Sequence, residues 1–82
     1  MPTVGEIDGL RVVIYPNDHR PVHVHVIGSG CEAVFTLSCP EGPPELLENY
    51  GFAGGTLSRI KKALTLRLRY FCAEWGRIHG LL

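Results

Sequence analysis

Leu57, Ile60, Leu64, Leu68, Phe71, Trp75 and Ile78 follow one another at spacings of 3, 4, 4, 3, 4 and 3. That rhythm lays seven large apolar side chains along one side of a helix. Thr56 predicts its N-cap and Gly80 its end. At 1.5 Å per residue the helix runs about 33 Å, long enough to cross a four-stranded sheet and overhang it. A sheet face laid against this stripe is the arrangement it calls for.

The preceding residues supply such a sheet. Asp8-Gly9 is a favoured two-residue turn, which makes residues 3–15 a hairpin. Within it Leu10, Val12 and Ile14 share one face, and Arg11, Val13 and Tyr15 share the other. Pro16 ends the strand, because it cannot donate to a ladder. Next, Val22, Val24 and Val26 alternate with His23 and His25, so the valines point one way and the imidazoles the other. Gly28-Ser29-Gly30 closes a second hairpin. With Gly28-Ser29 as a type II′ turn, Val26, Val24 and Val22 face Cys31, Ala33 and Phe35, His25 faces Glu32, and His23 faces Val34. Pro40, Gly42, Pro43 and Pro44 break the chain, and Pro44 starts a short helix over Glu45–Asn49 that Gly51 stops. Gly54-Gly55 reads as a flexible joint. The expected architecture is one α+β domain over residues 1–82. It is an antiparallel sheet of about four strands packed against one long C-terminal helix, plus a short helix.

Eighty-two residues allow one modest core. The net charge is zero, but residues 1–58 hold two basic residues against seven acids, or −5. Residues 59–82 hold six basic residues against Glu74, or +5. The neutral total argues against strong non-specific nucleic-acid binding, while the polarity leaves a local basic patch. Cys31, Cys39 and Cys72 are odd in number and lack CxxC spacing, so reduced thiols filling apolar gaps are expected rather than a disulfide. No apolar run reaches membrane-spanning length, and Met1 to Glu6 lack the marks of a secretion signal. No membrane association and a cytoplasmic location are the expectations.

Three of the four histidines fall within seven residues, His19, His23 and His25. Imidazoles at i and i+2 stand roughly 6.5–7 Å apart at the backbone, close enough to share a metal, a proton or a phosphate. As a metal-free acid–base pair they would serve an RNase-like phosphodiesterase, with His23 and His25 moving protons, His19 assisting and Arg20 binding phosphate. As a metal site, His19, His23 and His25, or Glu32 in place of His19, would ligate zinc or iron, with Asp18 or Glu32 orienting a ligand. In a third case the histidines are the solvated face of a hairpin. The chain is then a binding module without cofactor, meeting a protein through that face or through a sheet edge, or pairing with a second copy. Arg59, Lys62, Arg69 and Arg77, with Tyr70, form a basic helix face that could follow RNA phosphates, although such faces are ordinarily just solvated. Leu66 and Tyr70 within it favour a protein contact. His79 near the helix end suits the helix dipole.

Asn17-Asp18-His19, the run Pro21-Val22-His23-Val24-His25-Val26, the motif Glu48-Asn49-Tyr50-Gly51-Phe52 and the terminal amphipathic helix together resemble a known family. It is a widespread bacterial family of short proteins of unknown function, whose members read Asp/Glu-His-x-Pro-Pro-His-x-His near the middle. Here Val22 replaces the second proline, so the strand is expected to begin one residue early. The likeness covers nearly the whole chain. It singles out His19, Pro21, His23 and His25, with Asp18, and implies a protein partner encoded by an adjacent gene in a toxin–antitoxin-like pair.

Overall fold

Five strands follow one another in sequence and in space. β1 (Thr3–Ile7), β2 (Leu10–Val13), β3 (His23–Gly28), β4 (Cys31–Thr36) and β5 (Glu45–Tyr50) form one antiparallel meander in that order. Two helices come after them, α1 (Gly54–Leu66) and α2 (Leu68–His79). This computed structural model describes residues 3–80, so Met1-Pro2 of the N-terminal segment lie outside it. The class is α+β, as expected, with one strand more and a helix differently divided. No helix of the described residues is long and apolar enough to cross a membrane.

The apolar stripe meets the valine face. Val22, Val24 and Val26 join Val12, Ile14, Phe35, Ile60, Leu64, Leu68, Phe71 and Trp75 in a single core cluster, with Leu57 and Ile78 packed at its margin. Alternation along β2 and β3 thus sorts the chain as the sequence implies. Val13 and Val34 are also buried, but they flank His25 on the opposite face, outside that cluster.

Register departs from expectation. Around the first turn Ile7 faces Leu10, and both turn residues have positive φ, Asp8 at 50° and Gly9 at 81°. The second hairpin repeats this geometry with Ser29 at 51° and Gly30 at 76°. Its loop is therefore Ser29-Gly30, and Gly28 faces Cys31. Val24 faces Phe35 and His25 faces Val34, a slip of two residues that leaves every side chain on its expected face. A turn with both central residues left-handed matches strand twist, and Gly30 supplies the second position freely. At Gly28 a Cβ would lie 2.6 Å from Leu10 Cδ2, so a larger residue there would have to displace that methyl group. Ser29 is the strained member of the turn. Ser29→Asn should raise stability by about 0.5 kcal/mol in denaturant melts, because asparagine tolerates positive φ better.

Residues Glu45 to Asn49 are not a helix. They lie in β5, with Glu45 facing Thr36, Leu46 facing Phe35 and Glu48 facing Val34, and Leu47 is the extra residue of a bulge. The free edge of β4 offers a ladder that local propensity could not reveal. The expected single helix breaks at Arg67 (φ −118°, ψ 25°). Thr65 Oγ1 donates to the Lys61 carbonyl at 2.8 Å, a back-bond that bends helices, and Arg67 lies 4.7 Å over the Tyr70 ring. α1 starts at Gly54, after Ala53 rather than Thr56, so Gly54-Gly55 form its first turn and not a joint. Cys39 and Cys72 form a disulfide, with Cα atoms 5.9 Å apart, and Cys31 alone is free. That pairing corrects the expectation of three thiols. It arises because the loop after β4 comes to lie on α2, an approach that spacing does not encode.

Candidate metal centre

β3 presents His23 and His25 on the face away from the core, and the turn before it folds a carboxylate over them. Asp18 N–H donates to the Tyr15 carbonyl at 3.0 Å, while Tyr15 N–H donates to Asp18 Oδ2 at 3.0 Å. This reciprocal pair closes a tight turn at the end of β2 and fixes the carboxylate. Asp18 Oδ2 stands 3.2 Å from His25 Nε2 and 3.4 Å from His23 Nε2. One ligand atom from each of Asp18, His23 and His25 lies within 4.8 Å of the others. The three side chains are only 15%, 13% and 16% exposed, so water solvates them poorly.

The far nitrogens decide the chemistry. His23 Nδ1 is 2.7 Å from the Pro21 carbonyl oxygen, which can only accept, so Nδ1 carries the proton. His25 Nδ1 is 3.1 Å from Glu32 Oε2, again an acceptor when ionised. In both neutral rings the bare Nε2 lone pair is then turned toward Asp18. Two nitrogen lone pairs and an anionic oxygen converge on one point. Such an arrangement is repulsive until a cation, either protons or a metal ion, stands between them.

Aromatic rings wall the site. The His23 and His25 rings are 5.1 Å apart, Tyr15 lies 4.9 Å from His25, and Trp75 lies 5.4 Å from His23. His79 stacks on Trp75 at 4.0 Å, and its buried Nε2 has no hydrogen-bond partner among the described residues. Tyr15 was legible as a neighbour, since alternation puts it on the histidine face. Trp75 was legible only as core, and its contact with His23 depends on where α2 crosses the sheet.

The other candidates fall elsewhere. His19 and Arg20 are exposed, and neither side chain makes a hydrogen bond or ion pair among the described residues. Glu32 holds His25 from behind, reached diagonally since His25 faces Val34. Asp18, expected behind a ligand, instead stands beside the two imidazoles in one cluster. Leu66 is 77% exposed and lines an open groove with Tyr70 at the α1–α2 junction. The Tyr70 hydroxyl donates to the Val4 carbonyl at 2.6 Å, which ties α2 to β1. On the basic face Arg59 reaches Asp8 at 3.8 Å and Arg77 pairs with Glu74 at 2.6 Å. Beyond the site, Tyr50 donates to Glu48 at 2.9 Å, and that bond, with the nearby negative charge, raises its pKa.

Residues 9–76 match the model of a family described as a domain of unknown function (DUF4160). Comparison with curated proteins and with solved structures returns no match.

Proposed function

Because the chain belongs to the DUF4160 family, whose description carries no activity, its chemistry must come from its own residues, and we propose that Asp18, His23 and His25 bind a divalent transition metal, zinc or iron. The observation that supports this is the pair of Nδ1–H groups committed to Pro21 and Glu32, which leaves both Nε2 lone pairs aimed at Asp18 Oδ2. Histidine ligands ordinarily donate their other N–H to a carbonyl or carboxylate in this way. Distances agree as well. Bonds of about 2.0–2.1 Å to a tetrahedral ion imply ligand–ligand edges of about 3.3 Å, against 3.2 and 3.4 Å to the two imidazoles. Two imidazoles with one carboxylate suit zinc or iron better than magnesium or calcium.

Three protein ligands leave a coordination position for water or for an incoming group. A bound ion would act there as a Lewis acid and lower the pKa of its water. Protons in place of the metal would turn His23 and His25 into the acid–base pair of a phosphodiesterase, with His19 and Arg20 outside the cluster. A role in a toxin–antitoxin-like pair rests on the family resemblance and is compatible with either chemistry.

Untagged protein stripped with chelator should take up one zinc ion per chain in calorimetric titration and elemental analysis. Glu32→Gln should keep the stoichiometry and weaken binding by about 10–100-fold, the usual cost of losing a carboxylate behind a ligand. Absence of both heat and retained metal in the wild type would leave the proton-bridged alternative.

A further inference from the structure

β5 is paired on one side only and covered on neither face. All six of its residues are exposed, with Leu46 at 45%, Leu47 at 55% and Tyr50 at 60%. Leu46 faces Phe35 on the helix side of the sheet, and Tyr50 faces Glu32 on the histidine side. Neither helix reaches over this strand. The other edge differs: at β1, Tyr70 from α2 caps the Val4 carbonyl. Glu, Asn and Leu are modest strand formers, so little but the β4 ladder keeps residues 45–50 extended.

Charge gives the edge a preference. From residue 21 to residue 58 the chain carries Glu32, Glu41, Glu45 and Glu48 and no lysine or arginine. Two of those acids lie on β5 itself, and Glu32 is opposite Tyr50. A second copy adding through the same edge would bring four glutamates together. The bulge at Leu47 also interrupts the flat ladder that identical edges need. Acids and a bulge are the means by which an edge avoids copies of itself, yet neither hides the two leucines and the tyrosine.

We propose that β5 is a docking edge for an extended segment of another protein that bears lysine or arginine at alternate positions. Main-chain ladder bonds would supply affinity, Leu46 and Leu47 would bury the apolar side chains, and Glu45 and Glu48, which share the histidine side with Tyr50, would select the basic ones. The metal centre takes no part, so the two proposals stand or fall separately.

The test uses the isotopically labelled full chain, stripped of metal, and two hexapeptides, Lys-Val-Lys-Val-Lys-Val and Glu-Val-Glu-Val-Glu-Val. The basic peptide should produce saturable amide shifts centred on Glu45–Tyr50. It should bind about tenfold or more tighter than the acidic one, a preference that added salt weakens. The double variant Glu45→Lys/Glu48→Lys lies at exposed positions and should reverse the preference while leaving the remaining amide spectrum in place. Shifts centred elsewhere, equal affinity for both peptides, or no saturation by either would overturn the proposal. Concentration-dependent β5 shifts without peptide, matched by a dimer in sedimentation, would give the edge to a second copy instead and overturn it equally.

Discussion

Zinc at about a hundred times its dissociation constant should raise the melting temperature of the wild-type chain by about 10–20 °C, and His25→Ala should abolish the rise. The size follows from linkage. A ligand that binds only the folded state at that excess stabilises it by about 2.7 kcal/mol, and in domains of this length each kcal/mol moves the melting temperature by about 4–8 °C. His25 is the sharper position to remove. It gives the cluster one Nε2, and it is the ring that Glu32 orients. Without it Asp18 and His23 keep two ligand atoms, too few to hold zinc against water. Glu32 is 41% exposed and can be solvated once its partner is gone, so the metal-free variant should still fold. His19→Ala, outside the cluster, should retain the full shift. Magnesium should give little, since it favours oxygen ligands. Equal shifts in wild type and His25→Ala would place zinc elsewhere, on His79 or Cys31 for instance.

The parts of this molecule that sequence revealed are those that periodicity encodes. Alternation along Val22–Val26 fixes which way His23 and His25 point regardless of register, which is why a two-residue slip in the hairpin left both rings on the face expected of them. Likewise the stripe from Leu57 to Ile78 survives the break at Arg67, because seven apolar positions at helical spacing outlast one bent turn. What was hidden depends on approaches between distant segments. The strand at Glu45–Tyr50 forms because β4 has an edge to pair. The Cys39–Cys72 bond forms because a loop crosses α2, and Trp75 meets His23 because α2 ends over that part of the sheet. Asp18 lies between. Its proximity in sequence to the histidines was visible, but its place among the ligand atoms depends on the reciprocal bonds with Tyr15.

Reduction of Cys39–Cys72 should cost about 3.5–4 kcal/mol and lower the melting temperature by about 15–25 °C. The bond joins cysteines 33 positions apart in the sequence. Loop-closure entropy for that length, removed from the unfolded chain, gives the energy, and the small heat of unfolding of so short a domain gives the large shift. A domain of this size has only about 4–12 kcal/mol in hand, so the loss is a substantial part of the whole. The fold itself should persist after reduction, because Leu68, Phe71 and Trp75 hold α2 on the sheet independently of Cys72. Melts of the wild type with and without reductant, beside Cys39→Ser/Cys72→Ser, provide the measurement. All three should be compared in a Cys31→Ser background, which prevents exchange with the one free thiol. The reduced wild type and the double serine variant should coincide, both well below the oxidised protein. Superimposed melts for oxidised and reduced protein, with thiol titration proving that reduction occurred, would mean that residual structure already confines residues 39–72 in the unfolded ensemble, and that the cross-link adds nothing to it.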